Sequence, residues 1–207
     1  MGVGGWRHNF ETRVLPSTAF SPLGDVDTIG LLSWDGAVET WVKDQNTGEY
    51  KTRNKEYRRE FFFTSTNCQW ITPERLVYAF RLPNSGPPAQ SLMRGRLLSI
   101  RDFNGNAIQL VWNETTAVIT QVVDTARGTY SFKYSTAGLT NVTFQNWTLA
   151  IGYDPSNRLS FKSLTNTSGL YASASNTWQF TYSPSNGLLQ SIIDPQSNAV
   201  VSVFYDK

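Results

Sequence analysis

The side chains that could do chemistry in this 207-residue chain are few and scattered. Asp25-Val-Asp27 could hold a metal, or act as an acid and base pair in hydrolysis. Two carboxylates beside Gly24 are equally ordinary turn chemistry. His8 is the only histidine and could serve as a general base, but no nucleophile motif accompanies it, and a hydrogen-bonding role near Trp6 is the simpler reading. Asp102-Phe-Asn104-Gly-Asn106 has the spacing of the start of a calcium loop, yet the twelfth position is Asn113, where a bidentate Glu is wanted. A hairpin turn explains it better. One His and one Cys cannot build a Cys/His zinc site, and a lone Cys closes no disulfide within the chain. Gly-x-Ser-x-Gly, a phosphate-binding Gly-rich loop and His-Glu-x-x-His do not occur. No catalytic residue, metal or cofactor is therefore expected.

Charge points to no partner for the whole chain. The formal net charge is +2, so nucleic acid and anionic membrane are not expected partners. Residues 51–60 hold seven charged side chains, with Lys51, Arg53, Lys55, Arg58 and Arg59 forming a basic cluster tempered by Glu56 and Glu60. An anionic contact is one reading; an edge strand guarded by charge is the simpler one. Asn113, Asn141, Asn146 and Asn166 each open an Asn-x-Ser/Thr sequon, which a chain so rich in Asn and Thr provides by chance. No stretch nears the roughly 18 apolar residues of a membrane span, and the first ten residues lack the apolar core of a signal peptide.

The elements around these residues are β-strands. Ser, Thr, Asn and Gln supply 66 residues and aromatics another 28, in place of the residues that exposed helices favour. From residue 95 onward the chain repeats itself. Leu97 and Ile100, Ile119 and Val122, Leu139 and Val142, and Leu189 and Ile192 open successive repeats with two apolar residues three apart. Asp102, Asp124 and Asp194 follow two residues later, each leading into a turn. Alternating runs then close the repeats, ending at Trp112, Tyr134, Tyr153, Tyr182 and Tyr205, each followed by a polar residue. Spacings of 22, 19, 29 and 23 place an insertion in the fourth repeat, within Asn166 to Asn176. Each repeat reads as a hairpin that is marginal alone. Stacking hairpins side by side extends one sheet and is expected to bury the aromatic face continuously.

Residues 1–94 show no such period. Strands are expected on either side of Asp35-Gly36, over Glu60–Thr64 and over Arg75–Leu82. Pro83 to Gln90 is the best boundary, so the expected organisation is a non-repetitive β region over 1–94 and about five hairpin repeats over 95–207. The chain opens directly in a structured-looking segment and stops just after a strand pattern, as an excerpt of a longer polypeptide would.

Gly95-Arg-Leu-Leu-Ser-Ile-Arg-Asp102-Phe-Asn-Gly-Asn106, Leu110-Val-Trp-Asn113, Tyr153-Asp154 and Tyr205-Asp206 resemble the rearrangement-hotspot (RHS) or YD repeat. Gly5-Trp-Arg-His-Asn-Phe10 and Trp34-Asp-Gly36 are similar to the stretch preceding the first repeats in bacterial RHS proteins. The literal Tyr-Asp pair stands in two of the five repeats. The resemblance implies an all-β fold of antiparallel repeat hairpins stacked into a curved, spiralling sheet, a partial β-shell or solenoid. It also implies a role: a non-enzymatic piece of the wall of a large secreted or cell-surface bacterial polypeptide that encloses a toxin or effector. Its partners would be the rest of that polypeptide and the enclosed domain. The family's self-cleaving core segment has no match, so the aromatic row Trp112, Tyr134, Tyr153, Tyr182 and Tyr205 is carried over as a structural ladder alone. An extracellular carbohydrate-binding or adhesive module using exposed aromatics is the second reading, and a hydrolase built on Asp25 and Asp27 the third.

Overall fold

The structure is a computed structural model describing residues 9–16, 28–33, 35–52, 60–65, 67–83, 92–168 and 175–203. It is all-β, as expected: among the described residues the 3-10 turn Asn9–Glu11 precedes seventeen strands. Two compact units divide after Gly128, residues 3–128 and 129–207. The composition boundary at Pro83 to Gln90 falls almost wholly outside the described residues.

The first unit is an antiparallel ladder in chain order. Its strands are β1 (Arg13–Pro16), β2 (Thr28–Leu32), β3 (Val38–Lys43), β4 (Tyr50–Thr52), β5 (Glu60–Phe63), β6 (Asn67–Ile71), β7 (Val77–Arg81), β8 (Leu97–Arg101), β9 (Ala107–Asn113) and β10 (Val118–Asp124). Each pairs with the next. Side chains alternate between faces, so one face collects Val14, Leu31, Trp41, Phe61, Cys68, Phe80 and Leu97, all buried. Burying each of the larger ones contributes about 1.5–3 kcal/mol. Burial pushes the Cys68 thiol up to about 12, leaving it a small apolar filler.

Curvature follows from that face. Phe61 and Phe80 sit two strands apart, yet their rings stack with centroids 6.5 Å apart and planes at 14°, and Trp41 lies 5.5 Å from Phe61. Two strand spacings on a flat sheet span about 9.5 Å, so the sheet is concave here. The concavity brings the free edge of β1 round to the residues just before β8. There the Val14 amide donates to the Gly95 carbonyl at 2.8 Å, and Arg13 bridges Arg96. The contact spans two residues, and the ladder does not close into a barrel. Gly95 is required at this seam: its φ is +66°, and a Cβ there would lie 1.7 Å from the Val14 carbonyl oxygen.

The second unit contains β11 (Gly128–Ser135), β12 (Gly138–Phe144), β13 (Trp147–Tyr153), β14 (Leu159–Asn166), β15 (Ser175–Tyr182), β16 (Leu189–Ile193) and β17 (Ala199–Ser202). Each again pairs antiparallel with the next. Here the expected continuous burial of the aromatic face is not found. Ala137 is the buried hydrophobic residue among those described, while Tyr134, Trp147 and Leu164 on the aromatic face, and Phe161 on the other, are exposed. Alternation makes a strand two-faced, but a face is buried only when a second layer covers it. Neighbouring strands do the holding instead: Tyr130 stacks on Phe144 at 4.1 Å, and the hydroxyls of Ser163 and Thr177 and of Thr181 and Ser191 pair at 2.8 and 2.6 Å. Gly152 lies under the ring of its cross-strand partner Phe161, where a Cβ would come within 1.9 Å of the ring. The fourth repeat's insertion lies between β14 and β15, with 169–174 outside the described residues.

Replacing Gly95 by Ala is expected to destabilise the first unit by about 2 kcal/mol or more, from the strained φ and the forced separation of β1. Amide hydrogen exchange at Val14 reports it: protection should fall well below that of β6 and β7. Unchanged protection would show that the seam tolerates a side chain.

Candidate functional site

Few of the chemically suggestive residues fall within the described part of the chain. His8, Asp25, Asp27, Arg53, Lys55, Arg58 and Arg59 lie outside the described residues, as do Tyr205 and Asp206. Lys51 is described, and its ammonium holds Asp44 at 2.6 Å across the β3–β4 hairpin. Among the described residues no three His, Cys, Asp or Glu come together as a metal site would require. Asp102 belongs to a turn: its Oδ1 accepts from the Asn106 amide at 2.9 Å and its Oδ2 from the Asn106 side chain at 2.8 Å. Asn113 caps its own turn, accepting from the amides of Thr115 and Thr116.

What the structure does bring together is a recurring joint at the end of each repeat. Trp112 stands opposite Ile119, Tyr134 opposite Leu139, Tyr153 opposite Leu159, and Tyr182 opposite Leu189. In every case a β-bulge adds one residue to the strand carrying the aliphatic partner: Thr120, Thr140, Ser160 and Gln190. Phe80 and Leu97 form the same joint with Leu98 as the extra residue, one repeat earlier than the sequence period suggests. Leu159 is the opening aliphatic that sequence reading missed.

Three of the closing aromatics also reach to the strand before their own. The Trp112 indole N–H donates to the Leu97 carbonyl at 2.8 Å, and the Tyr153 and Tyr182 hydroxyls donate to the carbonyls of Leu139 and Leu159 at 3.0 and 2.8 Å. These are places where the ladder stops short: β8–β9 pairing ends at Ser99 and Gln109, β12–β13 at Asn141 and Ala150, and β14–β15 at Phe161 and Gln179. The side-chain donor supplies the hydrogen bond that the backbone no longer offers. Tyr134 faces Leu139 in the same register but is 40% exposed. The signal was present in the sequence: all five closing residues are Trp or Tyr, which carry a donor, and none is Phe.

The polar residue after the aromatic starts the following turn. Asp154 accepts from the amides of Ser156 and Arg158 at 2.9 Å each; Asp194, which follows an opening strand instead of an aromatic, does the same for Gln196 and Asn198 at 2.9 and 2.8 Å. Asn157 and Ser197 hold positive φ within these turns. Arg158 binds Asp154 through Nε and Nη2, donates from Nη1 to the Gly187 carbonyl at 3.2 Å, and lies 4.5 Å over the Tyr182 ring. One side chain thus ties the β13–β14 turn to the β15–β16 turn. The Arg158 side-chain hydrogen bond leads in holding Asp154 below the ordinary carboxylate range; for Asp194 the Asn198 backbone amide leads, and for Asp102 the Asn106 side chain. Burial first, then the Asp154 charge, pushes the Tyr182 hydroxyl upward.

No family model matches the chain, and no curated protein matches it. Among solved structures it bears a loose likeness to chains in two crystal structures. That of TcdB2-TccC3-TEV shows 16% identity and a TM-score of 0.27, with 81% of this chain and 11% of that chain covered. That of TcdB2-TccC3 shows 17% identity and a TM-score of 0.26, covering 81% and 12%. The chain therefore spans about a tenth of their length, and superpositions this loose establish no shared fold.

Tyr182→Phe keeps the ring and removes the bond to Leu159, so a loss of about 1 kcal/mol is expected in chemical denaturation. The pH dependence has two limbs. The turn aspartates titrate lower when folded, so their contribution is whole above the ordinary Asp value near 3.9 and is lost as pH falls through the folded values. Tyr182 titrates higher when folded, so its contribution is whole below about pH 10 and is lost as pH rises through the folded value. Tyr78, Tyr134 and Cys68 are also held high by burial, so Tyr182→Phe should make the alkaline limb shallower without abolishing it and leave the acid limb in place; an unchanged alkaline limb would count against the joint.

Proposed function

We propose that this chain is a non-enzymatic wall module of a larger RHS-type polypeptide, secreted or displayed at a bacterial cell surface, whose sheet encloses an effector or toxin domain. The single observation supporting it most is the second unit. Seven strands form one layer with both faces accessible, joined by a repeated aromatic joint rather than by a core. A layer of this kind gains stability with each hairpin added, as repeat architectures do, and suits containment better than catalysis. The repeat spacing and the YD-like turns point the same way.

The reading makes the sheet edge the working part. Among the described residues β17 pairs only with β16, and Val200 and Val201 are 50% and 40% exposed on its two faces. An uncovered edge flanked by valines templates further strands. Concentration-dependent association is expected in light scattering, and Val200→Lys should suppress it by placing charge on the edge strand. A monodisperse monomer at high concentration would overturn the proposal that this edge extends the sheet.

A further inference from the structure

On the outer face of the first unit, β6 to β9 form an open trough of about 440 Å³. Its position follows from alternation. Cys68, Phe80, Leu97 and Leu110 point into the buried face, so Gln69, Ala79, Ser99 and Gln109 point outward, and they stand in one cross-strand row. The two smallest side chains, Ala79 and Ser99, occupy the centre and form the floor; Gln69 and Gln109 rise on either side. Ala is a poor strand residue between Tyr78 and Phe80, and its value here is the space it leaves. Arg101, two residues beyond Ser99 and opposite Val77, stands at one end.

Two outward hydroxyl pairs in the second unit satisfy each other, Ser163 with Thr177 and Thr181 with Ser191. In the trough, among the described residues, the Ser99 hydroxyl, the Gln109 amide and the Arg101 guanidinium have neither hydrogen-bond nor ion-pair partners. Gln69 makes one long contact, 3.5 Å to Asn67. Two amides that each donate and accept match vicinal hydroxyls, and a guanidinium fork matches a carboxylate. The volume lies within the range of small-molecule sites, which runs from about 300 to 1,000 Å³.

We propose that this trough binds an acidic sugar, a hexuronic-acid unit of a polysaccharide, with Arg101 on the carboxylate, Gln69 and Gln109 on the hydroxyls, and the ring over Ala79 and Ser99. The inference does not depend on the wall reading. The trough is open to solvent, so affinity is expected in the roughly millimolar range. Saturation-transfer NMR and titration of the whole chain with glucuronate, glucose and acetate test it. Glucuronate should saturate, glucose should bind at least about tenfold more weakly, and acetate should not compete. Arg101→Gln should reduce glucuronate to the level of glucose, and Ser99→Leu, which fills the floor, should abolish both. Arg101 is exposed, so its variant keeps the test readable if Ser99→Leu unfolds the sheet. No saturable glucuronate binding, binding unchanged in Arg101→Gln, or acetate competing as well as glucuronate would overturn the proposal.

Discussion

The rest of this structure depends on one constraint: a backbone carbonyl must find a donor wherever the β-ladder is interrupted. Bulges recur near the start of the repeats, and beside them the pairing with the next strand ends early. Without a substitute donor the carbonyls of Leu97, Leu139 and Leu159 would be left without a protein partner. The indole of Trp112 and the hydroxyls of Tyr153 and Tyr182 provide it. Each of these aromatics therefore acts on three strands at once: its own, the next one through the aliphatic residue opposite, and the previous one through the hydrogen bond. A phenylalanine would retain the first two contacts and lose the third.

The two units meet this requirement against different backgrounds. In the first, a concave sheet gathers Trp41, Phe61, Phe80 and Leu97 into a buried face, and apolar burial accompanies the backbone ladder. Gly95 completes it by letting β1 approach closer than any side chain would permit. The second has little core to draw on. It is held by cross-strand pairs, by capped turns and by Arg158, which joins two turns through Asp154, Gly187 and the Tyr182 ring. Such a layer is stable in proportion to its neighbours, which is the physical reason for reading it as part of a wall.

Much of this was legible from residues alone. Alternation around Trp112, Tyr134, Tyr153 and Tyr182 placed strands correctly, and Asp35-Gly36 marked the β2–β3 hairpin. The strands β1, β4, β6 and β14 were not anticipated; Asn67-Cys-Gln-Trp-Ile71 carries a weak alternation that a neighbouring strand completes. Nor was the trough on β6 to β9, because Gln69, Ala79, Ser99 and Gln109 are unremarkable in sequence and become a row only through register. The continuous burial expected of the aromatic face was an error of a specific kind: period two shows that a face exists and says nothing of what covers it.

The amino-acid sequence by itself determined the class of element, the hairpin period, the residues that begin the turns, and the choice of donor-bearing aromatics at the repeat ends. These are local properties, set by side-chain shape, branching and hydrogen-bonding capacity within a few residues. Tertiary structure decided which carbonyl each aromatic serves, which face is covered, and where β1 meets the seam at Gly95. Those outcomes join residues 14 to 81 positions apart, and they depend on register and sheet curvature, which are properties of many strands together.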